Sequence, residues 1–252
     1  MTTILTNEHD GVFTITFNRP DAFNAFTPDM LHDFLAALEQ ANHNEACKVV
    51  VVTGTGRGFS AGVDLKILQG IEPEGGKIGD VFDTIANQVT YAIRTHRLPV
   101  IAKVHGACFT GALELALSCD FIVADADTKF GDTHAKWGLR PTWGMAQNLA
   151  RAVGVRRARQ LSFSAAVFSG RQAQEWGLVN EIAEGADALD ALVAKLTGQI
   201  CEGSTAAIQA YKTLYQIHER YLPLEEALMH ENAEQFPDIK DTAARLGNFG
   251  AK

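Results

Sequence analysis

Two short runs of the sequence are apolar on both faces of a strand, and they constrain the fold more than any other feature. Residues 47–54 read CKVVVVTG and residues 98–106 read LPVIAKVHG. A strand with one face in water alternates apolar and polar residues, whereas a nearly continuous β-branched run is typical of a strand buried on both faces. Because helices must cover both faces of such strands, the chain is predicted to form an α/β core.

The segments around these runs predict a hairpin before the core and helices between and after the strands. Residues 2–18 alternate apolar and polar side chains around Asp10 and Gly11, a pair that is typical of a tight hairpin turn. The further predicted elements are a helix from Pro28, a loop over residues 71–80, helices over residues 81–95 and 111–118, a strand over residues 121–131, and mostly helix from about residue 142. This order predicts an α/β core with a C-terminal helical region.

Net charge and the lengths of the apolar runs argue against several classes of protein. The chain of 252 residues has a formal charge of −8, which disfavours nucleic acid as a general partner but allows an anionic ligand held by local cations. The first residues lack the apolar core of a signal peptide, and no apolar run approaches the roughly 20 residues that span a bilayer. The cysteines form no CxxC pair, so reduced thiols and a cytoplasmic location are expected; they are Cys47, Cys108, Cys119 and Cys201.

One carboxylate, Glu114, lies in the middle of the most apolar predicted helix. Residues 112–117 are otherwise alanine and leucine, so this helix is expected to be buried. One interpretation is structural: Glu114 follows a candidate N-cap, Gly111, by three residues, and a helix N-terminus stabilises an anion. The other is functional, because burial raises the pKa of a carboxyl group toward neutrality, where it can give and take protons.

The glycine-rich segment GTGRGFSAG, which begins at Gly54, is compatible with several kinds of loop. A dinucleotide fingerprint counted from Gly56 ends at Ala61 in the looser GxGxxA form, but no long helix is predicted to follow it. A phosphate-binding P-loop requires a Gly-Lys-Ser/Thr ending, which the segment lacks. Residues 58–62 match the GxSxG pattern of serine hydrolases with Ser60 as nucleophile, although the predicted strand ends well before the serine. A tight loop that only turns the chain is the remaining alternative.

A further interpretation takes this loop together with the glycine-containing segment that precedes Glu114. Each segment follows a buried strand, and each can present a free backbone N–H. Two such donors that converge on one carbonyl oxygen form an oxyanion hole, which stabilises negative charge as it develops during a reaction. The pattern is therefore consistent with chemistry on a carbonyl compound.

The ordered motifs resemble the crotonase, or enoyl-CoA hydratase/isomerase, family nearly from end to end. The segments that carry the resemblance are FNRPDAFNAFTPDM, VVVVTGTGRGFSAGVDLK, LPVIAKVHGACFTGALELALSCDFIVADADTKFG, GLRPTWGMAQNLARAVG and GRQAQEWGLVNEI. The resemblance implies an α/β fold, a crotonase-like spiral of ββα units over residues 1–195. It also implies a C-terminal helical region, residues 196–252, that helps to build a trimer or a dimer of trimers. The implied ligand is an acyl-CoA thioester, so that coenzyme A is part of the substrate and no separate cofactor is expected.

The resemblance also assigns the substrate-binding residues. The backbone N–H groups of Val63, in AGVD, and Gly111, in TGALE, would bind the thioester oxygen and stabilise an enolate. The family usually has a run of glycines before the acid, two of which are replaced here by Thr110 and Ala112. Lys66 would supply a cation for the CoA phosphates, with a solvated surface lysine as the alternative. The residues that match the stretches lining the CoA and substrate site are Ala25, Phe26, Ala61, Asp64, Leu65 and Lys66.

The chain departs from the family's hydratases at one catalytic position. These enzymes have two glutamates on opposite sides of a water; Glu114 matches the first, and His134 occupies the position of the second. Histidine exchanges protons at neutral pH without a pKa shift, and Asp132 would orient it from the same face of an extended segment. Alternatively, His134 is a packed polar wall of the pocket. A metal site from Asp132 and His134 lacks further ligands at recognisable spacing, so no metal is predicted.

Trp143, in PTWGM, stands where the family pattern is usually smaller. If its indole lines the acyl pocket, it shortens or flattens that pocket. The alternative is a core aromatic residue on a turn.

These features predict an enzyme that adds water to a 2-enoyl-CoA, with Glu114 as the principal acid/base and His134 as a second group. Loss of the second glutamate keeps another crotonase-fold reaction open, because one acid/base suffices for double-bond isomerisation; hydrolysis and decarboxylation are open as well. A third hypothesis is a protein that binds acyl-CoA without turnover. The costly buried acid argues against this last hypothesis, since a pure binder gains little from it.

Overall fold

The computed structural model describes residues 2–247 of the chain. The strands are β1 (Ile4–His9), β2 (Val12–Phe17), β3 (Val49–Gly54), β4 (Val100–Val104), β5 (Ala107–Phe109), β6 (Phe121–Asp125), β7 (Lys129–Gly131), β8 (Val167–Ser169) and β9 (Glu181–Ala183). The α-helices are α1 (Pro28–His43), α2 (Leu65–Leu68), α3 (Asp80–Thr95), α4 (Gly111–Ala116), α5 (Met145–Val153), α6 (Val155–Ser164), α7 (Gly170–Glu175), α8 (Ala186–Glu202), α9 (Thr205–His218), α10 (Leu224–Ala233) and α11 (Thr242–Gly247). Short 3₁₀ helices span Pro20–Ala22 and His134–Trp137.

A six-stranded sheet in the order β1-β2-β3-β4-β6-β9 forms the centre of the fold. β1 and β2 are antiparallel, whereas the pairs from β2 through β9 are parallel. Successive residues of β3 face opposite sides: Val50 and Val52 pack into the main apolar cluster, and Val49 and Val51 pack into a smaller cluster with Leu189 of α8. Both predicted buried strands, β3 and β4, therefore lie inside the sheet with cover on both faces, and the predicted α/β class is confirmed.

The local predictions near the start of the chain are also confirmed. β1 and β2 form a hairpin around Asp10 (φ 50°) and Gly11 (φ 80°), both in the left-handed region. A two-residue hairpin turn of type I′ requires this conformation at both positions. α1 begins at Pro28, and its N-cap Thr27 accepts a hydrogen bond from the N–H of Met30 at 3.2 Å.

The single strand predicted over residues 121–131 is wrong, because this segment forms two strands that belong to different sheets. β6 lies between β4 and β9 in the main sheet, whereas β7 lies between β5 and β8 in a three-stranded sheet. A tight turn separates them, in which the N–H of Thr128 donates to the carbonyl oxygen of Asp125 at 3.0 Å. The sequence signal for this turn was overlooked: Asp125, Asp127 and Thr128 are turn-forming residues, and Oδ1 of Asp125 accepts the Asp127 N–H at 2.8 Å.

The chain after residue 142 is mostly helical, as predicted, but it also supplies two short strands. β8 pairs with β7 in the small sheet, and β9 extends the main sheet beside β6. Strands of three residues are too short for a period-two pattern to appear in the sequence. α8 packs on β6 and β3 and runs through the predicted boundary between residues 195 and 196. The division into regions 1–195 and 196–252 remains a prediction.

A lysine on α9 attaches this helix to the core of its own chain. Nζ of Lys212 donates to the carbonyl oxygens of Ile93 and Leu98 at 3.3 and 3.0 Å and to Oδ2 of Asp120 at 2.8 Å. The same carboxylate oxygen accepts a hydrogen bond from the N–H of Val100, at the start of β4. The anchor therefore connects the C-terminal helices to a central strand.

The cysteines form no disulfide among the described residues, and the helices there are not of the membrane-spanning kind. All four cysteines are free thiols, and Cys47 and Cys108 are buried. Between residues 2 and 247, no helix combines the length and the apolar character needed to cross a bilayer.

The fold brings the two glycine-containing segments side by side. The loop after β3 runs parallel to β5: the N–H of Ser60 donates to the Ala107 carbonyl at 3.0 Å, and the N–H of Phe109 donates to the Ser60 carbonyl at 3.3 Å. β5 leads directly into α4. The two loops that follow the buried strands therefore end next to each other.

Candidate active site

α4 is a short, buried helix that carries Glu114. Every residue from Gly111 to Ala116 is buried, and only 1% of Glu114 is exposed. The predicted N-cap is wrong by one residue, because Thr110 is the N-cap and Gly111 is the first helical residue. Glu114 is thus the fourth residue of the helix rather than the third, so it cannot complete a capping box.

Two backbone donors hold the Glu114 carboxylate, and one imidazole faces it. Oε1 accepts hydrogen bonds from the N–H groups of Trp143 and Met145, each at 3.0 Å. Oε2 lies 3.7 Å from Nε2 of His134, too far for a direct hydrogen bond. Burial raises the pKa of Glu114 from its ordinary value of 4.5 to about 7, although the charge of His134 and the two N–H donors favour the ionised form. The group can therefore act as acid or base at neutral pH.

His134 is oriented by Asp132. Nδ1 of His134 lies 2.7 Å from Oδ1 of Asp132, and the backbone N–H of His134 donates to the same oxygen at 3.3 Å. Burial would raise the pKa of Asp132, but the hydrogen bonds from His134 and from the Ser162 side chain, together with the charge of His134, outweigh it and lower that pKa. Because an ionised carboxylate only accepts, Nδ1 carries the hydrogen and Nε2 faces Glu114. Burial also opposes a charged imidazole, yet the hydrogen bond to Asp132 and the nearby carboxylates raise the pKa of His134.

The contact between Asp132 and His134 is confirmed, but the extended segment predicted to produce it is wrong. β7 ends at Gly131, and a 3₁₀ helix begins at His134. Thr133, between the pair, has φ −102° and ψ 13°. The Asp132 side chain accepts the N–H two residues later and so closes a turn. Among residues 2–247, no cluster of three or more metal-ligating side chains is found.

We expect the buried Glu114 to make the stability of the protein fall as the pH rises. Its pKa of about 7 in the folded state exceeds its ordinary value of 4.5, so its contribution is fully present below pH 4.5 and is lost as the pH rises through 7. The difference in free energy of unfolding between wild type and Glu114→Gln should shift by about 3 kcal/mol across this range, in favour of the variant at higher pH. Urea unfolding at several pH values measures it. An exposed control, Glu39→Gln on α1, should show no such shift; an equal shift in both variants would contradict the assignment.

Val63 and Gly111 each present a backbone N–H that has no hydrogen-bond partner within residues 2–247. Phe26 pairs with the flanking groups of Val63: its N–H donates to the Gly62 carbonyl at 2.7 Å, and its carbonyl accepts from the Asp64 N–H at 2.9 Å. The Val63 N–H therefore points away from Phe26. The Gly111 N–H lies in the first turn of α4, where no acceptor exists within the helix. Both residues line one cavity.

The two loops approach each other so closely that Gly62 has no room for a side chain. A Cβ on Gly62 (φ 90°) would lie 2.5 Å from Oγ1 of Thr110 and 3.4 Å from the nitrogen of Gly111. Thr110 has φ 46° and ψ −113°, a conformation that costs a β-branched residue about 1–3 kcal/mol. Its N–H donates to the Gly131 carbonyl at 2.9 Å. This strained residue sets the orientation of the peptide that contains the Gly111 N–H.

These groups line one cavity of about 300 Å³. The predicted site residues in its lining are Ala61, Val63, Leu65, Gly111, Glu114, His134 and Trp143. The sequence had not pointed to several apolar residues of the lining, among them Leu68, Ile78, Leu139 and Val167. A largely apolar pocket with a few polar groups is typical of a small-molecule site.

Four residues of the predicted CoA and substrate stretches lie outside this lining. Ala25 is buried, and the Phe26 ring is fully buried in the core, so only its main chain is available to a ligand. Asp64 caps α2 by accepting from the Lys66 N–H at 3.1 Å, and it pairs with Arg19 at 3.0 Å. Lys66 is exposed on α2, which follows directly from the Val63 loop.

Ser60 supports the loop and is not placed to act as a nucleophile. It is fully buried; Oγ donates to the Asn24 carbonyl at 2.8 Å and accepts from the Gly62 N–H at 3.1 Å. Because both functions of the hydroxyl are used inside the loop, the serine hydrolase interpretation is wrong. The helix that follows, α2, has four residues, so the dinucleotide interpretation also fails.

The sequence did not reveal Asp83 or the contribution of Met145. Oδ1 of Asp83 accepts hydrogen bonds from Nε1 of Trp143 at 3.1 Å and from Oγ1 of Thr142 at 2.7 Å. In the sequence, Asp83 has the appearance of an acid in the first turn of a helix, where acids are common. Met145 acts through its main chain, which no side-chain pattern can indicate.

Comparison with known proteins identifies the family of this chain. A model of the enoyl-CoA hydratase/isomerase family matches residues 7–246. The chain belongs to this family. It is 37% identical over 182 residues to a probable peroxisomal enoyl-CoA hydratase of Arabidopsis thaliana, covering 72% of this chain and 66% of that protein, just under two thirds of its length. It is 31% identical over 210 residues to a crotonyl-CoA hydratase of Syntrophomonas wolfei, covering 83% and 79%.

The solved structures of the family have the same fold. An enoyl-CoA hydratase from Bacillus anthracis superposes with a TM-score of 0.91 at 26% identity, covering 98% of this chain and 96% of that chain. An enoyl-CoA hydratase/carnitine racemase from Magnetospirillum magneticum gives a TM-score of 0.90 at 27% identity, covering 100% and 93%. The predicted family and the crotonase-like fold are therefore confirmed, and the names of the relatives favour hydration over isomerisation.

Proposed function

We propose that this chain adds water to the double bond of a 2-enoyl-CoA thioester. The observation that carries the proposal is the facing pair of Glu114 and His134 in the cavity that also contains Val63 and Gly111. An acid/base pair beside two unpaired backbone N–H groups suits a reaction that develops charge on a carbonyl oxygen. Membership of the enoyl-CoA hydratase/isomerase family and the hydratase relatives support the same reaction.

The N–H groups of Val63 and Gly111 would bind the thioester oxygen and stabilise the enolate. The oxygen of a water molecule forms a bond to C3 of the substrate while the C2=C3 electron pair moves into the thioester to form that enolate. One proton of the water passes to the deprotonated member of the Glu114–His134 pair. The protonated member gives its proton to C2, the thioester carbonyl re-forms, and the pair again holds one proton.

Local contacts bring the pKa values of Glu114 and His134 into a range in which either group can hold the proton. Burial places the pKa of Glu114 at about 7, and Asp132 helps to raise the pKa of His134. A single proton on the pair leaves one group able to accept and the other able to donate at neutral pH. A neutral histidine with Nε2 directed at Glu114 thereby takes the position of the second family glutamate.

The CoA part of the substrate would bind outside the acyl cavity. Lys66 is exposed beside the Val63 loop, where its ammonium group can meet a phosphate despite the net charge of −8. Ala25, Phe26 and Asp64 lie around the same loop and would contribute through the main chain or by positioning it. Coenzyme A is part of the substrate, and no separate cofactor or metal is proposed.

The direct test is hydration of crotonyl-CoA by the purified protein. We expect loss of the absorbance of the conjugated thioester and a product heavier than the substrate by one water in mass spectrometry. The reverse reaction from 3-hydroxybutanoyl-CoA should restore the absorbance. Absence of hydration with every 2-enoyl-CoA tested would contradict the proposal.

Double-bond isomerisation is the second candidate, favoured by the histidine in place of a glutamate. A 3-enoyl-CoA substrate separates the two, because an isomerase forms the conjugated thioester without a change of mass. Release of free thiol would instead indicate hydrolysis, and loss of carbon dioxide from a carboxyacyl-CoA would indicate decarboxylation. Binding of these ligands without turnover of any would indicate a carrier.

Assembly and location remain predictions. The C-terminal helices present exposed apolar side chains, among them Leu224, Leu228 and Met229 on α10, which is compatible with a trimer or a dimer of trimers. Light scattering of the purified protein measures that assembly. The expected cytoplasmic location rests on the sequence alone.

A further inference from the structure

The indole of Trp143 lies directly against the residue that presents one of the proposed oxyanion donors. A Cβ on Gly111 would lie 2.5 Å from Cζ3 of Trp143, so ring and glycine are in close contact. Trp143 is 4% exposed, lines the cavity, and donates its backbone N–H to Glu114. An acyl chain whose thioester oxygen binds the Gly111 N–H therefore has the indole as an immediate neighbour.

A second, larger cavity adjoins the catalytic one, and several of its lining residues are exposed, Glu72 and Asp80 among them. It measures about 1030 Å³ and shares Ile78, Arg140 and Thr142 with the catalytic cavity. Trp143 lines only the catalytic cavity, whereas Asp83 lines only the second one. The three residues common to both cavities therefore separate them, and the indole lies on the catalytic side, where it donates to Asp83 of the second cavity's lining.

Hydrogen bonds hold this partition in place. Asp83 accepts the indole N–H of Trp143 at 3.1 Å and the hydroxyl of Thr142 at 2.7 Å, both on Oδ1. Asp83 belongs to α3, whose apolar side packs into the main core through Phe82, Ile85 and other residues. The ring is thus fixed from the side opposite the substrate, and its rotation into the second cavity would break a hydrogen bond to a partly buried carboxylate.

We propose that Trp143 determines the acyl-chain length, restricting this chain to short-chain 2-enoyl-CoA substrates such as crotonyl-CoA. This inference rests on the proposed function, because it places the thioester oxygen at Gly111. The Trp143 ring limits the depth of the catalytic cavity, and removing it enlarges that cavity toward Thr142 and Asp83. Asp83 is a positioning residue that acts through Trp143.

The test compares hydration of crotonyl-CoA, 2-hexenoyl-CoA and 2-decenoyl-CoA by wild type, Trp143→Leu and Trp143→Ala. Wild type should show a falling kcat/KM with chain length. In the variants the ratio of kcat/KM for 2-decenoyl-CoA to that for crotonyl-CoA should rise by about tenfold or more, because each methylene that gains cover contributes about fourfold. Tyr91→Ala is the control: this aromatic residue of α3 is 63% exposed and lies outside the cavity lining, so its loss should leave the ratio within about twofold.

A binding measurement covers the case in which the Trp143 variants lose turnover through the contact with Glu114. Calorimetric titration with butanoyl-CoA and decanoyl-CoA should show the same change of preference without any reaction. Asp83→Ala should shift the preference in the same direction by a smaller factor, since the ring remains but loses its anchor. Wild type that hydrates all three chain lengths equally would overturn the inference and leave the proposed function intact. Wild type that hydrates none would overturn the proposed function itself.

Discussion

Glu114→Gln is expected to lower kcat for crotonyl-CoA hydration by about three orders of magnitude. The amide cannot accept or release a proton in the catalytic range, and loss of a positioned acid/base typically costs a factor of about 10² to 10⁴. Among the described residues that line the cavity, no other carboxylate is positioned to replace it. The assay follows the absorbance of the conjugated thioester under saturating substrate.

The replacement is conservative for the structure, so the loss can be assigned to chemistry. The introduced glutamine side chain keeps a carbonyl oxygen that can accept the N–H groups of Trp143 and Met145, which hold Oε1 in the wild type. Binding of butanoyl-CoA should therefore change by no more than a few fold. Glu39→Gln, on the exposed side of α1, should retain full activity. Equal activity of Glu114→Gln and wild type would remove Glu114 from the mechanism.

His134→Ala should lower kcat by about two orders of magnitude, because it removes the second member of the proton-sharing pair. His134→Glu should recover part of this loss, since it restores the carboxylate that hydratases of the family have at this position.

Asp132→Asn should act through the imidazole. It removes the acceptor charge that helps to raise the pKa of His134, so the alkaline limb of the pH–rate profile should move to lower pH.

A double-mutant cycle separates a role of Asp132 through His134 from a general structural role. Asp132→Asn should be costly in the wild type but should cost little more in the His134→Glu background, where no imidazole remains to be oriented. The same loss in both backgrounds would show that Asp132 only supports the local fold. An unchanged pH profile in the single variant would contradict the effect of Asp132 on the pKa of His134.

Where the signal is local, the sequence predicted the structure well. Asp10 and Gly11 predicted the hairpin because both tolerate the left-handed conformation that the turn requires. The valines of β3 predicted a doubly covered strand because apolar residues on both faces need cover on both. The single strand expected over residues 121–131 failed because the turn signal of Asp125, Asp127 and Thr128 was overlooked between two apolar runs.

Only part of the site was predicted, because local sequence patterns do not show contacts between distant segments of the chain. Ser60 matched a nucleophile motif, but its hydroxyl donates to the Asn24 carbonyl and accepts from the Gly62 N–H. The bond to Asn24 joins segments 36 residues apart, which a five-residue pattern cannot show. Asp83 was overlooked because its partners, Thr142 and Trp143, lie about 60 residues further along the chain. Hydrogen-bond partners that are distant in sequence are set by packing and not by local preference.

The sequence by itself indicated which segments are buried and that Glu114 lies in an apolar helix, and its resemblance to the family implied that His134 occupies the position of an acid. Only the tertiary structure decided that Oε2 of Glu114 faces Nε2 of His134 at 3.7 Å, and that amides 29 and 31 residues further along the chain hold the other carboxylate oxygen. The physical reason is that local pattern reports hydrophobicity and backbone preference, whereas a pKa depends on solvent exclusion and on charges that only folding brings within a few ångströms.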